Sequence, residues 1–408
     1  MDICIHPRRL FGAVSPPASK SLAHRLIIAA TLAAGTSKIR NVSLSQDIEA
    51  TLRCMDNFRC KWKWTGENAL EITGCINQEC DRTGLPQFDC GESGSTLRFL
   101  IPLALALGGG GEFRGHGRLM ERPQEPYFQI FDKQGIFHEQ KDGILTVQGD
   151  LRPGEYRLPG NVSSQFFTGL LMALPLLDGP SMITSTTELE SAAYITMTMG
   201  VLERAGVPVR YAKEINSFGV APSVYQPFEA AVEADWSQAA FWYSALTLGN
   251  SVQIRGLDIR SYQGDKIIAD HARTLSVPGD VTIDLSNCPD LLPPLAVMAA
   301  VRRGDTYFTN AARLRLKESD RLTTVHAMLT ALGGLAEEGP DRLTVHGVSA
   351  LTGGTVDGAN DHRIVMAAAI AATRCVNPVT ILGAEAVKKS YPDFWRDYEK
   401  LGGEVLVV

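Results

Sequence analysis

The sequence predicts an α/β protein made of six copies of one strand–helix unit. Two kinds of helix recur along the 408 residues, the two kinds alternate, and their starts keep a regular spacing. Helices of the first kind open in a polar turn rich in Ser, Asp or Asn and run into small apolar residues. They are PPASKSLAHRLIIAATLA from Pro16, CGESGSTLRFLIPLAL from Cys90, GNVSSQFFTGLLMAL from Gly160, ADWSQAAFWYSAL from Ala234, NCPDLLPPLAVMAAV from Asn287 and GANDHRIVMAAAIAAT from Gly358. Successive starts lie 70 to 74 residues apart except between the fourth and fifth, 53 residues, so one unit is trimmed.

Helices of the second kind are charged and amphipathic, and start near Asp47, Glu125, Tyr194, Asp265, Ser319 and Tyr391. Each stops at a turn, often with glycine, before a short strand. VLERAGVPVRY, MLTALGGLAEE and YEKLGGEVLVV show the apolar stripe, the glycine stop and the β-branched continuation. The first-kind helices are almost free of charge beyond their first turn, the pattern of helices buried all round. Their polar first turns must then converge. Each helix start carries unpaired N–H groups and partial positive charge, so a convergence of starts is an anion site.

Composition sets the limits. Hydrophobic residues make up 45% and charged residues 21%, values of a globular protein that exclude wholesale disorder. With 39 basic and 45 acidic side chains the net charge is −6, which argues against a general nucleic-acid or anionic-membrane binder. The longest apolar stretches, such as 99–108 and 364–373, are too short for a bilayer span of about 20 residues. Cysteines at 4, 54, 60, 75, 80, 90, 288 and 375 form no C-x-x-C pair and no zinc-ligand spacing. Without a recognisable signal peptide, the expectation is a cytoplasmic chain with reduced, buried thiols and no metal. There is no P-loop, no G-x-G-x-x-G after a strand, no G-x-S-x-G and no H-E-x-x-H. The glycine run at 108–111 reads as a helix stop, the alternation Lys61, Trp62, Lys63, Trp64 as an amphipathic edge strand, and His362 as a structural histidine.

Within this acidic chain the cations gather at the unit junctions. Lys20 and Arg25 flank the first helix start, Arg98 sits one turn into the second, and Arg122 lies in MERP. Lys317 and Arg321 belong to LKESDRL, Arg363 follows Asp361 and His362, and Lys388 and Lys389 precede SYPDF. Together they describe a site for a ligand with several negative charges, where Arg can fork phosphate or carboxylate. Carboxylates share the junctions: Glu318 and Asp320 beside the cations, and Asp290 at a helix start, a candidate base. Ser163, Ser164 and Gln165 offer neutral donors at another start, where only one serine can serve as the cap.

In this order, SKSLAHR (19–25), GESGSTLRF (91–99), MERP (120–123), SSQF (163–166), CPDLLPPLAV (288–297), RLKESDR (315–321), NDHR (360–363) and KKSYPDF (388–394) resemble the motifs of the enolpyruvyl transferases. Within that family they resemble the branch that acts on shikimate 3-phosphate. The resemblance spans nearly the whole chain. It implies a two-lobed fold, an inside-out α/β barrel with three units per lobe, and a site in the cleft between lobes. Residues 1–14 and 234–408 would form one lobe, which holds the trimmed unit, and 15–233 the other. The implied reaction moves the enolpyruvyl group of phosphoenolpyruvate to the 5-hydroxyl of shikimate 3-phosphate and releases phosphate by addition and elimination. It calls for no metal or organic cofactor, no nucleic acid and no membrane, and a monomer is the expected state.

Carried over by position, the resemblance assigns Lys20, Ser21 and Arg25 to shikimate 3-phosphate, with Lys20 reaching both substrates. Ser163, Ser164, Gln165, Ser191 and Tyr194 complete that side with Asp290 and Lys317. Gly94, Arg122, Gln165, Arg321, Arg363 and Lys389 are assigned to phosphoenolpyruvate. Asp290 would take the proton of the attacking hydroxyl, Glu318 and Lys389 would serve the enol methylene carbon, and Lys20 completes the catalytic set. Four positions depart from the family pattern: Ala18 for a common glycine, Glu92 for asparagine, Ser95 for threonine, and Arg313 for an asparagine. The sister branch, acting on UDP-N-acetylglucosamine, opens with Lys-Asn and carries a cysteine in its arginine loop. Here Ser21 follows Lys20, and GRLMERP has no cysteine. A non-catalytic anion binder on the same scaffold would be expected to lose Asp290, Glu318 or Lys389, and all three are present.

Overall fold

The computed structural model describes residues 1–75 and 84–408, so Cys80 lies outside the described residues. Among these the two kinds of helix alternate along the chain. They are α1 (Lys20–Thr31) and α2 (Gln46–Met55), α3 (Gly94–Gly108) and α4 (Glu125–Gln134), α5 (Ser164–Ala173) and α6 (Ala192–Arg204), α7 (Trp236–Thr247) and α8 (Ile268–Leu275), α9 (Leu292–Ala300) and α10 (Arg321–Ala331), α11 (His362–Ala372) and α12 (Phe394–Lys400). The odd-numbered helices are the apolar kind. Every residue of α9 and α11 is buried, as expected of helices with no charged face beyond the first turn. The even-numbered helices bury one stripe, such as Tyr127, Ile130 and Phe131 on α4 or Phe394 and Tyr398 on α12.

Capping follows the sequence signals. Ser45, Ser93, Ser163, Asp235, Asp320 and Asp361 each accept a backbone N–H from the first turn of α2, α3, α5, α7, α10 and α11. The glycine run does end α3: Gly109 takes the left-handed conformation (φ 70°) that closes the helix, and the strand Gly110–Arg114 follows at once.

Three of the six sheets share one full pattern. Two parallel strands joined through an odd-numbered helix are followed by an antiparallel hairpin reached through an even-numbered one. The strands Gln87–Asp89 and Gly110–Arg114 pair in parallel, and Ile144–Gln148 and Phe137–Lys141 complete that sheet antiparallel. Glu155–Leu158, Ser181–Ser185, Ser217–Val220 and Arg210–Ala212 repeat the arrangement, as do Val281–Asp284, Asp305–Thr309, Leu343–His346 and Leu335–Glu338.

Two sheets borrow a strand from far along the chain. Ile3–His6 lies between Val379–Leu382 and Glu404–Val407, and Glu229–Ala231 pairs in parallel with the distant strand Thr36–Arg40. In that second sheet Lys61–Gly66 is an edge strand whose tryptophans are half-buried and whose lysines are exposed, the amphipathic edge that the alternation predicts. The trimmed unit is the fourth. Phe11–Val14 and Ser251–Ile254 form a two-stranded sheet, and after α8 the chain enters Val281–Asp284 of the next sheet without making a hairpin.

The chain divides into two compact units, Met1–Ser19 with Glu233–Val408, and Lys20–Val232. Within the first, the incoming and outgoing segments run side by side: Ser19 N–H donates to the Glu233 carbonyl (2.8 Å), Asp235 N–H to the Pro17 carbonyl (2.9 Å), and Ala18 bridges Ala234. Ala18 thus occupies its position as a buried member of a β-bridge, a setting that suits an L-residue without strain.

Candidate active site

In the unit Met1–Ser19 with Glu233–Val408, the starts of α10 and α11 and the turn before α9 bring five of the predicted residues together. Arg321, only 1% exposed, spreads its guanidinium over three carboxylates. Its Nη1 donates to Asp290 (2.6 Å), its Nη2 to Glu318 (2.5 Å) and its Nε to Asp361 (2.9 Å). Three acceptors hold its charge firmly, so its pKa rises although burial works the other way.

Asp290, at the 3₁₀ turn Pro289–Leu291, meets two further cations. Lys317 Nζ lies 3.1 Å from Oδ1 and Arg363 Nη2 3.3 Å from Oδ2. Burial alone would raise the carboxyl pKa. Arg363, Lys317 and Arg321 outweigh it and hold the group well below the usual carboxylate range. Asp290 is therefore an ionised carboxylate already aimed by three donors. Lys389, 5% exposed at the end of the 3₁₀ segment Ala384–Lys389, donates from Nζ to the Asn360 carbonyl at 2.6 Å. That carbonyl belongs to a strained turn: Ala359 and Asn360 both adopt left-handed φ values, 50° and 49°, immediately before Asp361 caps α11. His362 is buried at the helix start.

In the unit Lys20–Val232, the starts of α1, α3, α5 and α6 and the turn before α4 carry the remaining residues. Lys20 pairs with Asp47 in the first turn of α2, Nζ to Oδ2 2.5 Å. Arg25 is 2% exposed, and its hydrogen bonds among the described residues go to neutral oxygens: Thr198 Oγ1 (2.8 Å), the Ser21 carbonyl (2.7 Å) and Thr168 Oγ1 (3.2 Å). Its guanidinium also lies over the rings of Phe99 (5.1 Å) and Tyr194 (5.9 Å). Burial without a carboxylate lowers its pKa to about 10, a guanidinium that an anion would stabilise. Tyr194 follows Ser191, a buried non-glycine residue with φ 54° whose carbonyl accepts the Tyr194 N–H at 3.1 Å. Such a left-handed residue costs roughly 1–3 kcal/mol and is characteristic of functional sites.

Gly94, Arg122 and Gln165 are neighbours. A Cβ placed on Gly94 would lie 2.9 Å from Arg122 Nη1 and 3.5 Å from Gln165 Oε1. Gln165 accepts from Arg98 Nη1 (2.9 Å) and donates to Ser95 Oγ (3.1 Å), so its amide is oriented from both sides. Ser163 is the cap of α5, accepting Gln165 N–H at 3.3 Å, while Ser164 is buried in the first turn.

The remaining departures have places as well. Glu92 turns towards the neighbouring turn, where its Oε2 would meet a Cβ on Gly117 at 2.6 Å, and Gly117 itself takes a left-handed φ of 54° that favours glycine. Arg313 is buried and donates to the Ser286 carbonyl. The described cysteines form no disulfides.

The family model described as EPSP synthase (3-phosphoshikimate 1-carboxyvinyltransferase) matches residues 5–398. The 3-phosphoshikimate 1-carboxyvinyltransferase of Clostridium kluyveri is 43% identical over 420 residues, covering 99% of this chain and 98% of that protein. The chain belongs to the EPSP synthase family. The enzyme of the same name from Clostridium perfringens (strain 13 / Type A) is 42% identical, covering 98% of each chain. In fold, the chain matches EPSP synthase from Acinetobacter baumannii with a TM-score of 0.81 over all of both chains, at 22% identity. The enolpyruvyl transferase NikO from Streptomyces tendae gives 0.78 at 18% identity, covering 99% of this chain and 98% of that one. The six-unit α/β architecture is therefore the enolpyruvyl transferase fold.

Against the EPSP synthase motifs, the structure adds partners that sequence reasoning left out of the site. Asp361 shares Arg321 with Asp290 and Glu318, Asp47 holds Lys20, and Arg98 orients Gln165. Asp361 and Arg98 sit inside motifs already singled out. Asp47 carried one signal, an acidic residue at a helix start, which matches a helix dipole equally well.

Proposed function

We propose that this protein transfers the enolpyruvyl group of phosphoenolpyruvate to the 5-hydroxyl of shikimate 3-phosphate, releasing inorganic phosphate. The observation that carries this reading is the carboxylate of Asp290, ionised and held by Lys317, Arg321 and Arg363 at 3.1, 2.6 and 3.3 Å. A base for a hydroxyl and cations for two phosphorylated, carboxylated substrates stand in one cluster. EPSP synthase relatives of 42–43% identity support the substrates.

In this reading Arg25, Ser21, Ser163, Ser164, Gln165, Ser191 and Tyr194 bind shikimate 3-phosphate, with Asp290 and Lys317 at its reacting side. Gly94, Arg122, Gln165, Arg321, Arg363 and Lys389 bind phosphoenolpyruvate, and Lys20 serves both. Glu318 or Lys389 gives a proton to the methylene carbon, which places positive charge on the adjacent carbon. The 5-hydroxyl oxygen attacks that carbon and Asp290 takes its proton. The resulting tetrahedral species loses a methyl proton back to the same acid–base pair as its carbon–oxygen bond to phosphate breaks. The arginines and lysines stabilise the phosphate that leaves.

The reaction takes place in the cytoplasm and the working species is a monomer. This part of the proposal rests on the absence, among the described residues, of any helix long and apolar enough to cross a membrane, and on the buried core within the unit that carries Asp290.

The test is phosphate release from phosphoenolpyruvate, with shikimate 3-phosphate in one reaction and UDP-N-acetylglucosamine in a parallel one. Release with shikimate 3-phosphate alone is expected. Release with the sugar nucleotide alone overturns the acceptor, and silence in both overturns the activity.

A further inference from the structure

Beneath the first turn of α3 runs a chain of buried side chains that the reaction itself does not use. His24 on α1 reaches Thr51 on α2 (Nδ1 to Oγ1 2.7 Å), Thr51 reaches Thr96 on α3 (2.7 Å), and the Thr96 hydroxyl donates to Ser93 Oγ (2.8 Å). All four residues are at most 1% exposed. Ser93 Oγ also accepts the Thr96 N–H (3.2 Å) as the cap of α3.

Counting hydrogens gives the chain a direction. Each hydroxyl has one to donate. Thr96 gives its own to Ser93, so Thr51 must donate to Thr96, its longer 3.3 Å contact to the Asp47 carbonyl being secondary. With the Thr51 hydrogen committed, His24 must donate from Nδ1. The imidazole is therefore the neutral Nδ1–H tautomer, and its Nε2 is buried without a hydrogen-bond partner among the described residues. Burial, with Lys20 and Arg25 nearby, pushes its pKa far below the usual histidine value and keeps it neutral.

The chain ends on both sides of Gly94 and Ser95, the two residues between its α3 anchors, Ser93 and Thr96. Those residues face Arg122 and Gln165. We propose that His24 is a positioning residue for phosphoenolpyruvate: through Thr51 and Thr96 it fixes the first turn of α3. The role rests on the assignment of that substrate to Gly94, Arg122 and Gln165. A general structural histidine would support α1 and α3 alike. A positioning residue acts on one substrate and shares its effect with Thr96.

The experiment is steady-state kinetics on the full chain for His24→Leu, Thr96→Val, the double variant and His24→Asn, with KM measured for each substrate. Each single variant is expected to raise the KM for phosphoenolpyruvate about tenfold and leave that for shikimate 3-phosphate within about twofold. The double variant should add no more than about twofold, because both changes break one chain. His24→Asn, which keeps a donor near Nδ1, should recover to within about threefold of the parent. Equal rises in both KM values, an additive double variant, or an unchanged KM for phosphoenolpyruvate overturn the proposal. Should His24→Leu fail to fold, the near-isosteric Thr51→Val takes its place with the same expected outcomes. Arg122→Ala separates the layers. A raised KM for phosphoenolpyruvate there, with none in the chain variants, overturns the role of His24 alone. No effect of Arg122→Ala overturns the substrate assignment, and the role of His24 with it.

Discussion

Nη1 of Arg321 lies 2.6 Å from Oδ1 of Asp290, and the arginine is 1% exposed. A buried guanidinium therefore orients the carboxylate assigned as base and, with Lys317 and Arg363, keeps it ionised. Its other nitrogens hold Glu318 and Asp361, so one side chain fixes the geometry of three acids.

Asp290→Asn keeps the shape and two acceptor or donor sites but removes the base. Turnover should fall roughly 10²–10⁴-fold, the usual worth of a positioned base. Binding of shikimate 3-phosphate, followed by calorimetry, should stay measurable. Turnover near that of the parent would remove Asp290 from the role.

Lys20→Ala should weaken both substrates, since one cation serves two anions. It also leaves the Asp47 carboxylate, with a side chain 12% exposed, without the ammonium 2.5 Å away. A loss of about 2–3 kcal/mol in urea unfolding is expected from such a stranded charge. Weakening of a single substrate would contradict the shared position.

Gly94→Ala puts a methyl group 2.9 Å from Arg122 Nη1, the far end of a flexible side chain. Gly94 has ordinary helical geometry, so the fold should persist with a melting temperature close to the parent's. The displaced arginine should raise the KM for phosphoenolpyruvate about tenfold or more. An unchanged KM would show that Arg122 does not meet that substrate from this direction.

His24 makes a prediction about acid stability. Its folded pKa is held far below the unfolded value of 6.5, so at high pH both states are neutral and the group contributes no pH dependence. As the pH falls below 6.5 the unfolded chain takes up a proton that the folded chain refuses. Stability then declines until the depressed folded value is reached. Between pH 7.5 and 5.5 this amounts to about 1.4 kcal/mol. Urea unfolding of His24→Asn should show a correspondingly smaller loss over that interval. The same loss in both proteins would mean that other groups account for it.

The repeat architecture was legible because it is written in local patterns. Apolar periodicity, serine and aspartate caps and glycine stops mark α1 to α12 within a few turns of chain, and the 53-residue interval marks the unit whose hairpin is missing. The cations were legible as a set, because an acidic chain that places Lys20, Arg25, Arg122, Lys317, Arg321, Arg363 and Lys389 at unit junctions departs from a random surface. Which cation meets which acid was not. Lys20 with Asp47, and Arg321 with Asp361, are separated by 27 and 40 residues and meet only because their helix starts are packed together. The borrowed strands Ile3–His6 and Glu229–Ala231, and the direction of the chain from His24 to Ser93, belong to the same class. Helix formation depends on neighbours three and four residues away, whereas sheet pairing and hydroxyl order depend on contacts made only when the whole unit has closed.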